Sequence, residues 1–355
     1  MIRLFFRHRD TKVFRFLQAA ACAVLLPLLC GCDMKEPVSP EEEPASLTVL
    51  FDGAGVTPTK ARTSFDENVG GLYSAVVLVF RPDGKLDARE SFSSASGLSS
   101  VTVSVTTGTR RIVVLGNYPS VPDAASAASF SGDLSLSSLS SVAGVPMHGS
   151  SADIAVAKGS NSATVSLVRD VAKVQVDMIK LSTGAEAPVG VRLMAVYLVN
   201  ARSAASWTMS AAGTVGVSVG SALFNAWTGS AVSKNDGVAA VYDSVGEVLT
   251  TSGTGPFHFY CFANPSSWDV SPGHEATASE RSSVTNLVLE FKDASNVTSY
   301  HHVAVPAVTA NTLYHINSIT VTSQGGPDPW TSAATVDVDI DVAPWGGGND
   351  LNQVM

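Results

Sequence analysis

Cysteine is nearly missing from this chain of 355 residues: Cys22, Cys30 and Cys32 fall at the very front, and only Cys261 lies beyond them. A disulfide framework is therefore excluded. Equally absent are a Walker loop, an HExxH zinc helix and a cysteine pair with metal spacing, so nothing signals a phosphate cradle, a resident metal or any cofactor. No catalytic constellation emerges, and the chain is not expected to be an enzyme. Bases are outnumbered by acids, 22 to 31, which disfavours nucleic acid or an anionic membrane surface as a partner. The oily stretch from Leu17 to Leu29 is too short to cross a bilayer as a helix.

What the front does contain is directional. Arg3, Arg7, Arg9, Lys12 and Arg15 stand against a single acid, Asp10, and lead into LQAAACAVLLPLL. This is the n-region and h-region of a signal peptide. The run ends in Leu29-Cys30-Gly31-Cys32, which resembles the lipobox of bacterial lipoproteins. The resemblance implies cleavage before Cys32 and transfer of a diacylglycerol to its thiol; an ordinary secretory peptide is the alternative. Residues 1–31 are thus expected to be a lipoprotein signal peptide and 32–45 an acidic, proline-rich tether. DMKEPVSPEEEP carries too little apolar surface to fold and should stay extended. Its early acids resemble the surface-export signals of Bacteroidetes lipoproteins, with a plain charged spacer as the other reading. Loss of the presequence removes five bases and one acid, leaving 17 against 30 and a net charge of −13.

Beyond the tether, valine, alanine, serine, threonine and glycine dominate, and apolar residues alternate with polar ones in short blocks. That is the period-two signature of half-buried strands. SLTVLFD, LYSAVVLVFRPDGKL, VTVSVTT and RRIVVLGNYP are the clearest early blocks; ATVSLV, AKVQVDMI, VRLMAVYLVNA, FHFYCFAN, TNLVLEF, YHHVAVPAV, YHINSITVT and ATVDVDIDVAPW follow. The expected fold is all-β, built from antiparallel sandwiches. Pro82-Asp83-Gly84 supplies a tight turn. SFSSASGLSS and the segment from Val121 to Val142 read as loops, the latter with room for one short helix. The length favours two domains, placed at 46–160 and 161–355. An echo between VVLGNYPSV near Asn117 and FYCFANPSSW near Asn264 agrees with two similar units.

His301 and His302 are adjacent on an expected strand, so they face opposite ways and cannot share an ion. Asp337, Asp339 and Asp341 alternate with Val338, Ile340 and Val342, which puts a carboxylate row on one face and aliphatics on the other. An extended row does not wrap a calcium ion as a loop does, and the acids read as a solvated face that discourages edge pairing.

Taken in order, the blocks resemble the fimbrillin family, the FimA/Mfa-type (type V) pilins of Bacteroidales. After the lipobox come SLTVLFD, the basic segment TKARTSFDE, a strand closing on Phe80-Arg81-Pro82-Asp83-Gly84, and VVLGNYPS. LVRDVAKVQVDMI follows, in which Leu167, Arg169, Ala172, Lys173 and Val174 are similar to the family's Leu-x-Arg-x-x-Ala-Lys-Val stretch. VYLVNA, FYCFANPSS, ANTLYHINSITVTSQGGPDPW and IDVAPW complete a series that spans nearly the whole mature chain.

The resemblance implies two tandem transthyretin-like β-sandwich domains, export as an outer-membrane lipoprotein, and assembly into a cell-surface fimbrium that supports adhesion. It implies that an arginine-specific protease clips the loop beyond the first strand, and that a strand from the next subunit fills the groove so opened. An inserted strand satisfies unpaired backbone groups while its alternate side chains fill pockets, and a head-to-tail contact of this kind grows into a filament. Here the strand to be lost is 46–52, with Leu47, Val49 and Phe51 on one face. Arg62 is the best-placed cleavage site and Lys60 its competitor, with a plain surface arginine as the bland reading. The donor is either Thr335 to Val342, offering Val338, Ile340 and Val342, or the tail after Trp345, offering Leu351 and Val354. That tail opens with three glycines, which leaves room for an accessory, tip or anchor role. Expected partners are other copies or related pilin subunits, the protease and the outer membrane. The second reading is a lipid-anchored surface protein that never polymerises and binds glycan or protein, with Trp207, Trp227, Trp268 or Trp330 as stacking platforms; core packing competes for each.

Overall fold

The computed structural model describes residues 42–53, 71–137, 144–184, 187–268, 277–330, 336–337 and 340–345. It is all-β; among the described residues the one α-helix is the short α1 (Ala278–Ser283), whose start is fixed by a capping box between Thr277 and Glu280.

Before residue 170 the chain forms β1 (Pro44–Asp52), β2 (Ser74–Phe80), β3 (Leu86–Ser93), β4 (Ser100–Thr106) and β5 (Gly108–Gly116). Then come β6 (Ser131–Ser135), β7 (Met147–Ser150), β8 (Ile154–Val156), β9 (Gly159–Ser166) and β10 (Val168–Arg169). A three-stranded sheet has the order β4-β1-β9, and a six-stranded one the order β10-β7-β5-β2-β3 with β8 on β5. Strand β4 alternates strictly, burying Val101, Val103 and Val105 between exposed serines and a threonine, as expected of a strand with one wet face. Ile112 to Leu115 in β5 are buried on both faces. The Pro82-Asp83-Gly84 turn joins β2 to β3, with Gly84 at φ +79 and its N–H donating to the Arg81 carbonyl at 2.9 Å.

The remainder contains β11 (Val171–Val176), β12 (Ile179–Leu181), β13 (Arg192–Val199), β14 (Ala201–Arg202), β15 (Ala204–Met209) and β16 (Val215–Val219). These are followed by β17 (Leu223–Phe224), β18 (Ala226–Trp227), β19 (Val232–Ser233), β20 (Tyr242–Val248), β21 (Phe257–Phe262) and β22 (Asn286–Lys292). The last five are β23 (Thr298–Ala304), β24 (Thr312–Ile316), β25 (Ile319–Val321), β26 (Val336–Asp337) and β27 (Ile340–Pro344). A six-stranded sheet, β17-β14-β21-β11-β24-β27, and a four-stranded one, β20-β13-β22-β23, hold most of them; β12-β25-β26 and β18-β19 are smaller. All six residues of β21 are buried, so this strand is covered on both faces.

The pairing is not purely antiparallel. β1 with β9, β11 with β24 and β12 with β25 run parallel. In each half the first strand lies between one antiparallel and one parallel neighbour: β1 between β4 and β9, β11 between β21 and β24. β9, which contains the expected boundary at Ser160, pairs with β1 along its whole length, so the first group of sheets extends through Arg169. The two groups are also stitched together, because β6 pairs with β15 in a sheet of order β16-β15-β6. Part of the Val121 to Val142 segment is therefore strand rather than loop, alongside one short 3-10 turn at Ala127–Ser129.

Buried asparagines close several strand ends. Asn117 has φ +56, donates through Nδ2 to the Gly71 and Val145 carbonyls, and accepts the Tyr73 N–H at 2.8 Å. The same left-handed conformation recurs at Asn200, Asn225, Asn296 and Asn311, with φ +55, +48, +61 and +55, and not at Asn264. Asparagine tolerates that region and carries the polar groups that a chain reversal inside a core must satisfy.

Candidate functional site

β1 is the central strand of its sheet. Pro44 to Leu50 pair antiparallel with β4, and Ala45 to Asp52 pair parallel with β9. Leu47 and Val49 point into the core and are fully buried, Ala45 and Phe51 on the same face are half-buried, and Leu50 on the other face is 42% exposed. The far edge of β4 is closed by side chains: Ser104 N donates to Glu90 Oε1 at 2.8 Å and Thr106 N to Asp87 Oδ2 at 2.9 Å. Lifting β1 out would leave facing rows of N–H and C=O groups on β4 and β9 and would uncover the apolar residues packed under it.

Both ends of β1 are fastened. At its start the Glu42 carboxylate meets Arg81 Nη2 at 2.7 Å and Arg110 Nη2 at 3.1 Å. Glu43 N donates to Thr107 Oγ1 at 3.0 Å, and its carbonyl accepts the Thr107 N–H at 2.8 Å. Arg110 is buried; its Nε donates to Asp87 Oδ2 at 2.8 Å, and Nη1 and Nη2 reach the Thr109 and Thr107 carbonyls. Burial alone would push the Asp87 carboxyl up, but hydrogen bonds from the Thr106 hydroxyl and N–H, with Arg110 beside it, hold it below the ordinary carboxylate range. At the far end Gly53 sits at φ +80, where an added Cβ would lie 2.7 Å from the Leu167 carbonyl oxygen. Only glycine fits there. Lys60 and Arg62, like Cys32, lie outside the described residues.

The arginine and aspartate cluster escaped the sequence reading. One signal was available: Arg110 falls in register with Ile112 and Val114, so a cation occupies an inward position of an apolar strand.

Of the donor candidates, Ile340 and Val342 belong to β27, while Val338, Leu351 and Val354 lie outside the described residues. Among the described residues β27 is the outermost strand of its sheet and pairs only with β24. Ile340 packs against the core, but Val342 is 54% exposed, so the expected aliphatic face is covered only in part. The strand is clasped at its end by Trp345, which stacks on Tyr260 at 5.7 Å between ring centroids and lies 4.6 Å from the Arg169 guanidinium carbon. Arg169 Nη1 also donates to the Trp345 carbonyl at 3.2 Å.

Two of the five tryptophans are interior. Trp207 is buried against Tyr118, and Trp330 is buried between Trp227 and Trp268. The last three, with His302, Tyr197 and Tyr242, form a second apolar cluster on the outer face of the β20-β13-β22-β23 sheet, leaving Trp227 and Trp268 half-buried. His301 packs edge-on against Phe291 while His302 stacks on Trp268, so the neighbouring rings do face opposite ways.

Gly216-Val217-Ser218-Val219-Gly220 has the spacing of a nucleophile elbow, yet Ser218 is exposed within β16 and stands at no strand-to-helix turn. Cys261 is fully buried, and burial pushes its thiol up to about 12, out of reach of thiolate chemistry. Among the described residues no cluster of three or more acids, histidines or cysteines could hold a metal, and no helix is long and apolar enough to cross a membrane.

Several solved structures share this fold. A candidate cell adhesion protein from Parabacteroides distasonis aligns over 86% of this chain and 100% of its own, with 16% identity and a TM-score of 0.55. Another from Bacteroides eggerthii covers 85% and 96%, with 20% identity and a TM-score of 0.53. A fimbrilin from Porphyromonas gingivalis covers 86% and 99%, with 14% identity and a TM-score of 0.53. No protein-family model and no curated protein matches the chain. The chain thus has the all-β fold of a fimbrilin.

Proposed function

We propose that this protein is a fimbrial subunit of the fimbrillin family, exported as a lipoprotein through Cys32 and assembled by strand exchange once β1 has been cut away beyond Asp52. Arg62 is the proposed cleavage site, with Lys60 as its competitor. The shared fold supports the class. The observation that carries the mechanism is the seating of β1: a central strand, fully buried at Leu47 and Val49, flanked on both sides by backbone ladders and separated from β2 by residues 53–73. Such a strand can be replaced only by another strand, and head-to-tail replacement generates a filament on the outer cell surface.

A terminal role, at the tip or as the anchor, is the second reading, and the docking of β27 favours it. The segment that would be donated is paired on β24 and clasped by Trp345. A subunit that keeps its own ribbon accepts a strand without donating one.

N-terminal sequencing of surface-extracted protein tests the first reading. A start at Thr63, with trypsin treatment yielding ladders or filaments by electron microscopy, is the expected result. A start at acylated Cys32 in a protein that stays monomeric after clipping would overturn it in favour of an anchor or a surface binder.

A further inference from the structure

We infer that the Glu42 end of the β1 seat is a carboxylate receptor, and that the strand entering it from a second copy must present an aspartate or glutamate to Arg110 and Arg81. The inference rests on the strand-exchange reading above and specifies which strand the seat accepts.

The charges there balance only while β1 is present. Two guanidiniums, Arg81 and Arg110, face two carboxylates, Asp87 and Glu42. Asp87 belongs to β3 and stays; Glu42 leaves with β1. Departure of the ribbon leaves two cations and one anion around an arginine side chain that is 2% exposed. Asp87 still holds Arg110 through Nε, so the excess positive charge falls on Arg81 and on the Arg110 Nη2 that Glu42 had met. An apolar guest could refill the positions of Leu47 and Val49 and still leave Arg81 and the Nη2 edge of Arg110 without the carboxylate that Glu42 supplies. A guest with a carboxylate at the Glu42 position restores the charge-assisted hydrogen bonds and closes the seat.

The chain's own sequence contains such a guest. Glu42 precedes Ala45 and Leu47 by three and five residues, and Asp337 precedes Ile340 and Val342 by the same spacings. In the glycine-led tail, Asp350 is followed at those spacings by Gln353 and Met355, which puts a polar residue where the seat is apolar. The occupant assigned to the seat is therefore the acidic ribbon from Val336 to Val342 of a second copy.

The test uses the full chain with a site-specific protease sequence in place of residues 60–64, folded first and then cut, so that β1 stays seated without its covalent link. Labelled peptides of residues 42–53 and 335–345 are added, each also as its Glu42→Gln or Asp337→Asn version, and displacement of the ribbon is followed by fluorescence anisotropy. The acidic peptides should displace it and bind about tenfold more tightly than the amide versions, as befits a hydrogen bond to a charged group. Most of that difference should vanish in Arg81→Gln protein, a variant chosen because Arg81 is 35% exposed and its loss leaves the buried Arg110 and Asp87 pair intact. Equal binding of acid and amide peptides would overturn the receptor while leaving strand exchange standing. Failure of every peptide to displace the ribbon would overturn strand exchange itself, and the receptor with it.

Discussion

Arg110 and Asp87 meet at 2.8 Å between Nε and Oδ2, with side chains only 2% and 1% exposed, at the point where β1 enters its sheet. Asp87 also accepts from the Thr106 hydroxyl at 2.7 Å and from the Thr106 N–H at 2.9 Å, so strands β3, β4 and β5 converge on one carboxylate.

That convergence makes the seat acid-sensitive. The folded Asp87 carboxyl titrates below its unfolded value, so its stabilisation is fully present above about pH 4 and is lost as pH falls through the lower folded value. Thermal unfolding followed by circular dichroism from neutral to acidic pH should show this loss. Asp87→Asn should be less stable at neutral pH and should lose less on acidification. An unchanged pH profile in that variant would contradict the assignment.

The two faces of β1 should respond differently to truncation. Leu47→Ala is expected to destabilise the protein by about 2–5 kcal/mol in urea, because the side chain is fully enclosed. Leu50→Ala, on the 42% exposed side, should stay within about 0.5 kcal/mol. Equal effects would mean that the strand does not bury the face described.

Trp345 should govern the C-terminal ribbon. In Trp345→Ala, hydrogen exchange read by mass spectrometry should speed up over residues 340–344 and at their partners in β24, while β11 and β21 remain protected. Burial draws the Arg169 guanidinium down to about 10, so it stays cationic at neutral pH and the clasp should show no titration there. Unaltered exchange in the variant would show that the ladder to β24 alone holds the ribbon.

Cys261 should be inert. The native protein ought to leave a thiol reagent unreacted at neutral pH and react fully once unfolded in guanidinium chloride, because the thiol is sealed and shifted up to about 12. Fast labelling of the folded protein would refute the packing of β21.

Much of the strand inventory was legible because burial imposed alternation on it. SVTVSVT in β4 and the apolar runs of β5 and β21 announce themselves, as does the turn at Pro82-Asp83-Gly84. LDARESFS did not, since β3 is half-buried along most of its length and carries charged residues that serve β4 and β5 rather than the core. SGDLS became strand β6 only because β15 lies beside it, a contact between distant segments that no local period records. The same applies to the site: Glu42 and Arg110 are 68 residues apart, and their meeting depends on the register of β1 against β4. The inward face of Leu47, Val49 and Phe51 could be read from alternation; the charges that close its end could not.

β4 and β9 run in opposite senses, since β1 is antiparallel to one and parallel to the other. A guest strand therefore meets one neighbour of each sense whichever way round it enters, and the main chain gives it no compass. Under strand exchange, the arginines at one end of the slot are what distinguish head from tail, and the vectorial growth of a fibre would be set by the sign of a single side chain.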